Sequence, residues 1–473
     1  MNASKFRKEA HRLVDWMADY FEQVEEYPVK PDVKPGEIRE MLPLSAPEEG
    51  EPFDDIFRDF NEIIMPGMTH WESPNFMAYF PANKSYPSVL AEMLTATLGA
   101  QCMSWVTSPA ATELEERVME WLRAMTGLPS DFTGVIQDTA STSTLVALLM
   151  ARESVTDFRV NDSGFPSDKK FAVYCSSETH SSIEKDVKIA GFGRNNLRKI
   201  RVDETCAMDS AALEQRIRND LEQGIVPACV VATLGTTGST AIDPLPEIAE
   251  ICNRDQIFLH IDAAYAGTAL LLPEYRYMIE GIEQADSFVF NPHKWMFTNF
   301  DCSAFYVRDE ELLVRTLAIT PEYLKTAEDE RVKNYRDWGI QLGRRFRALK
   351  LWFVIRSFGI RGLQNTLRKH LDLAQKMKRT IRESESFELL APVPLNLVCF
   401  RYHPPGVTEP ELLNRLNRQL LEQVNSTGKL FITHTKLDDI YTLRMVIGNR
   451  NVEQTHTEQA WKLITEQAEQ LTI

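Results

Sequence analysis

Apolar residues near the start of the chain recur mostly at steps of three and four. This spacing predicts a helix with one apolar face, made of Phe6, Leu13, Val14, Met17, Phe21 and Val24. A loop rich in Pro, Glu and Gly follows from Pro28 to Pro52, before any strand pattern begins. Because the helix has no sheet of its own nearby in sequence, we expect its apolar face to pack on a second subunit.

From about residue 130, short β-rich runs alternate with helix-like stretches, which predicts an α/β domain with parallel strands and helical crossovers. The predicted strands are Gly134–Gln137, Phe171–Ser176, Ala228–Leu234, Ile257–Ile261, Ser287–Phe290 and Ser303–Val307. Near residue 350 the pattern changes to a long helix, two strand-like runs and a final helix. The runs are Leu397–Arg401 and Leu443–Ile447, and the helix extends from Val452 to about Gln470, which predicts a smaller α+β domain.

Composition restricts the partners and the compartment. The 473 residues carry a net charge of −16, so nucleic acid and anionic membranes are not expected partners. The sequence shows neither a membrane-spanning apolar run nor a signal-peptide pattern, and we expect a cytoplasmic protein. The seven scattered cysteines predict buried thiols, and no zinc spacing is present among Cys and His, so no metal is expected. No GxGxxG follows a predicted strand, which disfavours a nicotinamide site.

Ligands of open α/β sheets bind at the carboxyl ends of the strands, so the polar residues there are the candidates. The first strand leads into Asp138–Ser141 and a helix from about Ser143, which suits a phosphate but equally an ordinary helix cap. His180 follows the second strand; a lone histidine is more often structural. Hydroxyls of Gly235–Gly238 follow the third strand.

The two candidates with the clearest chemistry follow the next strands. Asp262 ends an apolar strand and is costly to bury unless it is paired. Lys294 lies among Pro, His and Trp, where it either extends to solvent or performs covalent chemistry. Pyridoxal phosphate (PLP) needs a lysine, a carboxylate on its ring nitrogen, a phosphate cup and a flat group against its ring. These residues supply one of each, with Thr139–Ser141 and Asn291 as the cup and His180 as the flat group.

Longer motifs carry a resemblance that covers residues from about 5 to about 470. The runs Asn291–Trp295, Asp262–Gly267 and Gly343–Arg347 resemble motifs of the group II PLP decarboxylases, specifically the aromatic-L-amino-acid decarboxylase family. The segments Ala78–Pro81, Ser104–Ala110 and Tyr335–Trp338 extend the similarity. The most specific signal is the NPHKW run with DAAYAG at a spacing of 32 residues from Asp262 to Lys294.

The family implies a PLP-dependent transferase fold of type I and an obligate homodimer with active sites at the subunit interface. That fold has a large domain with a mainly parallel seven-stranded sheet, a small α+β C-terminal domain and an N-terminal helical segment that crosses onto the partner. On this chain we expect an N-terminal dimerisation segment at residues 1–83, a PLP-binding domain at 84–350 and a small domain at 351–473.

The resemblance also implies roles for single residues. Lys294 would hold the cofactor covalently, Asp262 would keep the ring nitrogen protonated, and His180 would stack on the ring. The other cofactor-binding residues would be Thr139, Ala140, Ser141, Thr237, Ala264, Asn291 and His293, with Thr236 as an alternative to Thr237. Tyr335 matches the tyrosine that protonates the carbanion left after CO2 departs, on a charged lid loop from Lys325 to Asp337.

The side chain of the substrate would be enclosed by residues that could equally be ordinary core: Trp71, Tyr79, Phe80, Pro81, Gln101 and Met103. Together they suit a flat apolar group. The sequence departs from the animal enzymes at Ala82–Lys84, Gln101 and Met103, which leaves Trp, Tyr, Phe and DOPA open as substrates.

The expected function is therefore decarboxylation of aromatic L-amino acids to arylalkylamines. One alternative is an aldehyde synthase on the same scaffold, against which Tyr335 argues, because those relatives tend to carry Phe there. A second is an acidic amino acid as substrate, for which Lys84 is the one nearby cationic candidate. A third is a non-catalytic scaffold, against which the intact set of Lys294, Asp262, His180 and Tyr335 argues.

Overall fold

The structure is a computed structural model that describes residues 1–319, 328 and 331–472. The chain forms two compact units. One consists of Met1–Pro81, Gln375–Leu390 and Val398–Ile473; the other consists of Ala82–Ala374 and Ala391–Leu397. The predicted domain boundaries near residues 83 and 350 stay predictions.

The N-terminal part of the first unit is helical. It contains α1 (Ala3–Gln23), α2 (Glu37–Met41) and α3 (Phe53–Asp59). The predicted first helix is therefore present, and its cap is Asn2, whose side chain accepts the N–H of Lys5 at 2.9 Å. The stretch predicted to be a loop contains α2, a five-residue helix that begins after Gly36 at φ 102°.

Seven strands form the central sheet of the second unit. They are β1 (Thr133–Gln137), β2 (Lys170–Ser176), β3 (Leu197–Ile200), β4 (Ile225–Thr233), β5 (Phe258–Asp262), β6 (Ser287–Phe290) and β7 (Ser303–Val307). Their order is β1-β7-β6-β5-β4-β2-β3. Only β7 runs against its neighbours, pairing antiparallel with β1 and with β6. The predicted mainly parallel α/β sheet is confirmed.

Two features of this sheet differ from the pattern in the sequence. β3 was not predicted as a strand; it lies at the edge of the sheet and carries Arg198 and Lys199, so it lacks the apolar run of an inner strand. β7 is antiparallel because the connection from β6 contains only a four-residue helix and no long crossover helix.

Helices of the second unit precede, follow and connect these strands. They are α4 (Tyr86–Leu98), α5 (Pro109–Thr126), α6 (Ala140–Thr156), α7 (Arg159–Ser163), α8 (Ser182–Ile189), α9 (Ser210–Glu222), α10 (Leu245–Asp255), α11 (Pro292–Trp295) and α12 (Glu310–Leu317). β5, β6 and β7 are buried along their whole length, as expected for a sheet that is covered on both faces. Helix α13 (Arg347–Arg382) follows and is interrupted at Gly359.

The remaining elements complete the first unit, apart from the start of β9. A four-stranded sheet contains β8 (Phe387–Leu389), β9 (Leu397–Tyr402), β10 (Thr433–Leu437) and β11 (Ile440–Val446), in the order β10-β11-β9-β8. Helix α14 (Pro410–Ser426) lies between β9 and β10 in the chain, and helix α15 (Gln454–Glu469) follows β11. The two predicted strands and the final helix are present; β8 and β10 are short strands that were not predicted.

Two further sequence expectations concern cysteines and membranes. All seven cysteines are free thiols, and six of them are buried, whereas Cys206 is partly exposed. The thiol prediction is therefore confirmed, and burial holds for six of the seven. Within the described part of the chain, no helix combines the length and the apolar character needed to cross a membrane.

Candidate active site

The direction of the strands brings most predicted site residues to one edge of the central sheet. β1, β2, β4, β5 and β6 all run the same way, so their carboxyl ends lie along that edge. The residues at or just after these ends are Thr139, His180, Thr237, Asp262 and Asn291. This is the location at which open α/β sheets bind ligands.

Asp262 is the last residue of β5 and lies in the interior of the sheet. It pairs in register with Thr233 of β4 and Val289 of β6, and its side chain is only 5% exposed. One carboxylate oxygen accepts the N–H of Ala264 at 3.0 Å. A carboxylate in such a position requires a cationic or hydrogen-bonding partner.

Lys294 supplies the nearby cation. The N–H of Asn291 donates to the carbonyl of Ala264 at 3.0 Å, and the N–H of Lys294 donates to the carbonyl of Asn291 at 2.9 Å. These bonds tie α11 to the turn that follows Asp262. Burial lowers the pKa of Lys294, and the charge of Asp262 opposes that shift. A lowered pKa increases the share of neutral amine, the nucleophilic form that covalent catalysis requires.

His293 precedes the lysine and is buried. Its Nδ1 accepts the N–H of Cys302 at 2.9 Å, so the proton of the neutral ring is on Nε2. Burial, reinforced by the charge of Lys294, lowers the pKa of His293 to about 3. His293 is therefore neutral near pH 7 and offers one N–H to an anion.

His180 follows β2 and responds to the same two charges. Its Nδ1 accepts the N–H of Ser182 at 3.2 Å and lies 2.8 Å from the Ser182 hydroxyl. Burial lowers the pKa of His180; Asp262 opposes the shift and Lys294 adds to it. The ring is thus neutral near pH 7, with its proton on Nε2, and it responds to the charges of the aspartate and the lysine.

The start of α6 provides anion-binding groups. Thr139 caps this 17-residue helix through a 3.4 Å bond from the N–H of Thr142 to its hydroxyl. The helix begins at Ala140, three residues before the predicted start, which leaves the first-turn N–H groups of Ala140 and Ser141 pointing out of the helix end. Asn291 is 2% exposed, and its Oδ1 has no hydrogen-bond partner among the described residues.

Two neighbouring threonines after β4 differ in what they offer. The hydroxyl of Thr236 is buried and lies 3.1 Å from the hydroxyl of Ser239 within the same loop. Thr237 is exposed, so its side chain is the accessible one of the pair. Ala264, after β5, is partly buried and adds only a methyl group beside Asp262.

Tyr335 is not brought to this edge. Its buried ring lies 4.7 Å from the guanidinium of Arg344 and lines a small cavity of about 80 Å³ with Thr133, at the start of β1. The start of β1 is the opposite end of the strand from Thr139. Within its own chain, the described position of Tyr335 therefore does not contact the Lys294 site, and its catalytic role stays a prediction.

Part of the predicted lid loop, residues 325–327, 329 and 330, lies outside the described residues. The described part of that region is tied to the sheet and to two predicted substrate residues. The N–H of Arg336 donates to the carbonyl of Met103 at 2.8 Å, and the N–H of Arg344 donates to Oε1 of Gln101 at 2.7 Å. Gln101 and Met103 thus hold the segment that carries Tyr335.

The other predicted substrate residues belong to the first unit and form a cluster there. The rings of Trp71 and Tyr79 stack with centroids 5.8 Å apart, and the guanidinium of Arg444 lies 5.6 Å from the ring of Phe80. Pro81, also predicted, is the last residue of that unit's first segment and is buried. The substrate role of these residues stays a prediction.

The sequence reasoning missed a second carboxyl near Asp262. Asp186 of α8 is 2% exposed, and its Oδ2 has no partner among the described residues. Burial raises the pKa of Asp186 to about 7, and the charge of Asp262 acts in the same direction. The available signal was its spacing: it lies between Ile183 and Ala190 on the buried face of an amphipathic helix.

Comparisons with known proteins identify the family. Residues 35–403 match the pyridoxal-dependent decarboxylase conserved domain. The chain belongs to the pyridoxal-dependent decarboxylase family. It is 44% identical to an aromatic-L-amino-acid decarboxylase of Cavia porcellus, over 99% of this chain and 98% of that protein.

Two other similar proteins extend this result. A phenylacetaldehyde synthase of Arabidopsis thaliana is 43% identical over 100% of this chain and 97% of that protein. The crystal structure of Catharanthus roseus tryptophan decarboxylase in complex with L-tryptophan superimposes with a TM-score of 0.94 at 40% identity, covering 100% of this chain and 99% of that chain. The family assigns PLP as the cofactor.

The residues present fit this cofactor. The first-turn N–H groups of α6, the Nε2–H of His293 and the side-chain amide N–H of the buried Asn291 are donors of the kind that a phosphate requires. The buried carboxylate of Asp262 suits a protonated ring nitrogen, and the low-pKa amine of Lys294 suits an aldehyde carbon. When bound, PLP supplies the group that accepts the electron pair left by departing CO2.

We predict that Asp262→Asn, which keeps shape and removes the negative charge, lowers kcat by about 10²–10³-fold, because a buried anion stabilises positive charge best in a dry site. Asp286→Asn is the matched control, since Asp286 is another largely buried carboxyl, which accepts the N–H of Leu259 at 2.7 Å. Steady-state kinetics with saturating PLP measures both. Equal losses in the two variants would assign Asp262 a folding role only.

Proposed function

We propose that this protein removes CO2 from aromatic L-amino acids and releases the corresponding arylalkylamine. The observation that carries the proposal is the buried Asp262 with the partly buried Lys294, whose pKa responds to its charge, at the carboxyl edge of the sheet. The aromatic class is supported by relatives named for aromatic substrates that match over nearly the whole chain. The proposal leaves Trp, Tyr, Phe and DOPA as candidate substrates.

Each residue of the edge then has one task. Lys294 holds the cofactor, and Asp262 keeps a proton on the cofactor's ring nitrogen. His180 presents a neutral ring face, while Ala140, Ser141, Asn291 and His293 bind the phosphate through N–H groups. Thr237, the exposed threonine after β4, is assigned to the cofactor hydroxyl. In the first unit, the stacked rings of Trp71 and Tyr79 are of the kind that suits a flat side chain.

The test of the reaction replaces the lysine. We predict that Lys294→Ala abolishes amine production, because no other group in the site can take over covalent attachment of the cofactor. Lys188→Ala, at an exposed lysine of α8, is the control and should act as wild type. The assay incubates enzyme and PLP with aromatic amino acids, glutamate and cysteine sulfinate, and identifies the amines by mass spectrometry. Amines formed only from glutamate or cysteine sulfinate would favour the alternative hypothesis that the substrate is an acidic amino acid.

We also propose that the protein is a homodimer. Along α4 an apolar stripe at four-residue spacing remains exposed: Tyr86 47%, Leu90 54%, Leu94 47% and Leu98 64%. On α1, Phe6 is 61% and Val14 42% exposed. Apolar stripes of this length are uncommon on monomers, and a self-complementary partner is the simplest cover.

We predict that Leu94→Lys shifts the protein from dimer to monomer and lowers activity, because an ammonium would be buried in the interface. Leu221→Lys is the control variant, matched in exposure. Leu221 on α9 is 48% exposed and lies outside both helices of the proposed interface. Sedimentation velocity at several concentrations measures the association. A Leu94→Lys protein that remains an active dimer would contradict the interface assignment.

Tyr335 is proposed to give the proton that completes the amine. In the described position its hydroxyl is buried at the other end of β1, so it serves either after its segment moves or in the site of a second copy. Burial raises the pKa of Tyr335 well above its usual value, which keeps the phenol protonated there. An aldehyde synthase among the relatives makes the fate of the carbanion the relevant question.

We predict that Tyr335→Phe turns product formation from amine largely to aldehyde. A positioned acid speeds protonation about 10²–10⁴-fold; without it, O2 oxidises the carbanion, and water releases aldehyde, ammonia and H2O2 together with the CO2 already lost. An oxygen electrode and amine quantification measure the two routes. Unchanged amine yield without O2 uptake would remove Tyr335 from the mechanism.

A further inference from the structure

The first turn of α4 and the residues just before it bond directly to the main chain around Lys294. Nδ2 of Asn83 donates to the carbonyl oxygen of Lys294 at 2.9 Å. The hydroxyl of Ser85 donates to the carbonyl of Phe297 at 2.8 Å, and the N–H of Asn299 donates to the hydroxyl of Ser88 at 3.3 Å. We call Asn83, Ser85 and Ser88 the clasp.

The clasp meets a need that α11 cannot meet alone. A helix of four residues leaves its carbonyl groups without partners inside the helix. Asn83 is 1%, Ser85 2% and Ser88 0% exposed, so these hydrogen bonds are made away from water. A buried carbonyl that loses its partner carries the full cost of desolvation, so each bond of the clasp fixes the main chain firmly.

Lys294 is held at both of its main-chain polar groups. Its N–H donates to the carbonyl of Asn291, and its carbonyl accepts from Asn83. The Cα position, from which the lysine side chain extends toward Asp262, is therefore set from two sides. Removing the Asn83 donor removes the hydrogen bond from Asn83 to the Lys294 carbonyl.

We propose that Asn83 is a positioning residue that holds the Lys294 main chain so that the amine stays directed at the cofactor and at Asp262. This rests on the proposed role of Lys294 as the lysine that holds the cofactor. Asn83 itself touches the lysine backbone, and its contribution passes through the orientation of that residue.

Two variants of the full-length, PLP-loaded protein test the proposal. Asn83→Leu keeps the shape of the side chain and removes the donor, while Asn83→Ser keeps a polar group too short for the bond. Asn196→Leu is the matched control, because Nδ2 of Asn196 donates to the carbonyl of Phe192 at 2.7 Å, in the loop between α8 and β3. Thermal unfolding of all three proteins measures the general cost of losing one such bond.

The first specific readout is retention of PLP in equilibrium dialysis, expected to weaken about three- to tenfold in both Asn83 variants, as for one buried hydrogen bond. The second is the pH at which the visible absorption band of the lysine–PLP bond titrates. Asp262 favours the charged form of the lysine nitrogen, so looser positioning should lower that pH by about 0.5–1 unit. Asp262, whose charge acts on Lys294, is unchanged in these variants, as are His180 and His293, whose pKa values Lys294 lowers.

The outcomes separate the clasp from the proposed function. If both Asn83 variants lose thermal stability as Asn196→Leu does but keep wild-type PLP retention and titration, the proposal is overturned and Asn83 is structural. If one variant does not fold, the other decides on the same criteria. Borohydride reduction followed by peptide mapping of the wild-type protein checks the premise, since cofactor attached to another lysine would overturn the role of Lys294 itself.

Discussion

The placement of a buried carboxylate and a partly buried lysine at the carboxyl edge of a covered sheet is the constraint on which the site depends. Asp262 is fixed within β5 between two neighbouring strands, so it cannot reach solvent. Lys294 is carried by a short helix tied to the same turn. Neither charge is favourable alone in this setting, and each lowers the cost of the other. The charge of Asp262 opposes the lowering of the Lys294 pKa that burial causes, and the role proposed for Lys294 depends on that balance.

The surrounding residues keep this pair free of competing charges. Burial lowers the pKa of both His180 and His293, so neither adds a positive charge near pH 7, and both present Nε2–H groups. Among the described residues, Asp186 is the one other carboxyl whose pKa responds to the charge of Asp262. Burial raises the pKa of Asp186 to about 7, which limits its negative charge at neutral pH. The N–H groups at the start of α6 are the donors assigned to the phosphate in the proposed site.

Sequence reasoning located the residues whose position follows from strand direction. A polar residue after an apolar strand of a parallel sheet must lie at one known edge, so Asp262, Asn291 and His180 could be placed without coordinates. Asn83 could not, because its contact with Lys294 joins residues 211 positions apart and no periodic pattern records it. The edge strand β3 was also not predicted from the sequence. One side of this strand lies at the edge of the sheet, so it carries charged residues in place of the pattern expected of a core strand.

Tyr335, the residue proposed as the acid of the final step, lies away from the carboxyl edge of the sheet in its described position. Its hydroxyl lies at the start of β1, in a small buried cavity, where burial keeps it protonated. A phenol with a raised pKa is a poor donor until it meets a strong base, and a carbanion is such a base. Under the proposal that Tyr335 is the acid, its hydroxyl has to reach the substrate carbon, whereas the bonds from Arg336 to Met103 and from Arg344 to Gln101 hold its segment in the described position. Because the relatives of this chain include both an aromatic-L-amino-acid decarboxylase and a phenylacetaldehyde synthase, the role proposed for this segment concerns which product forms.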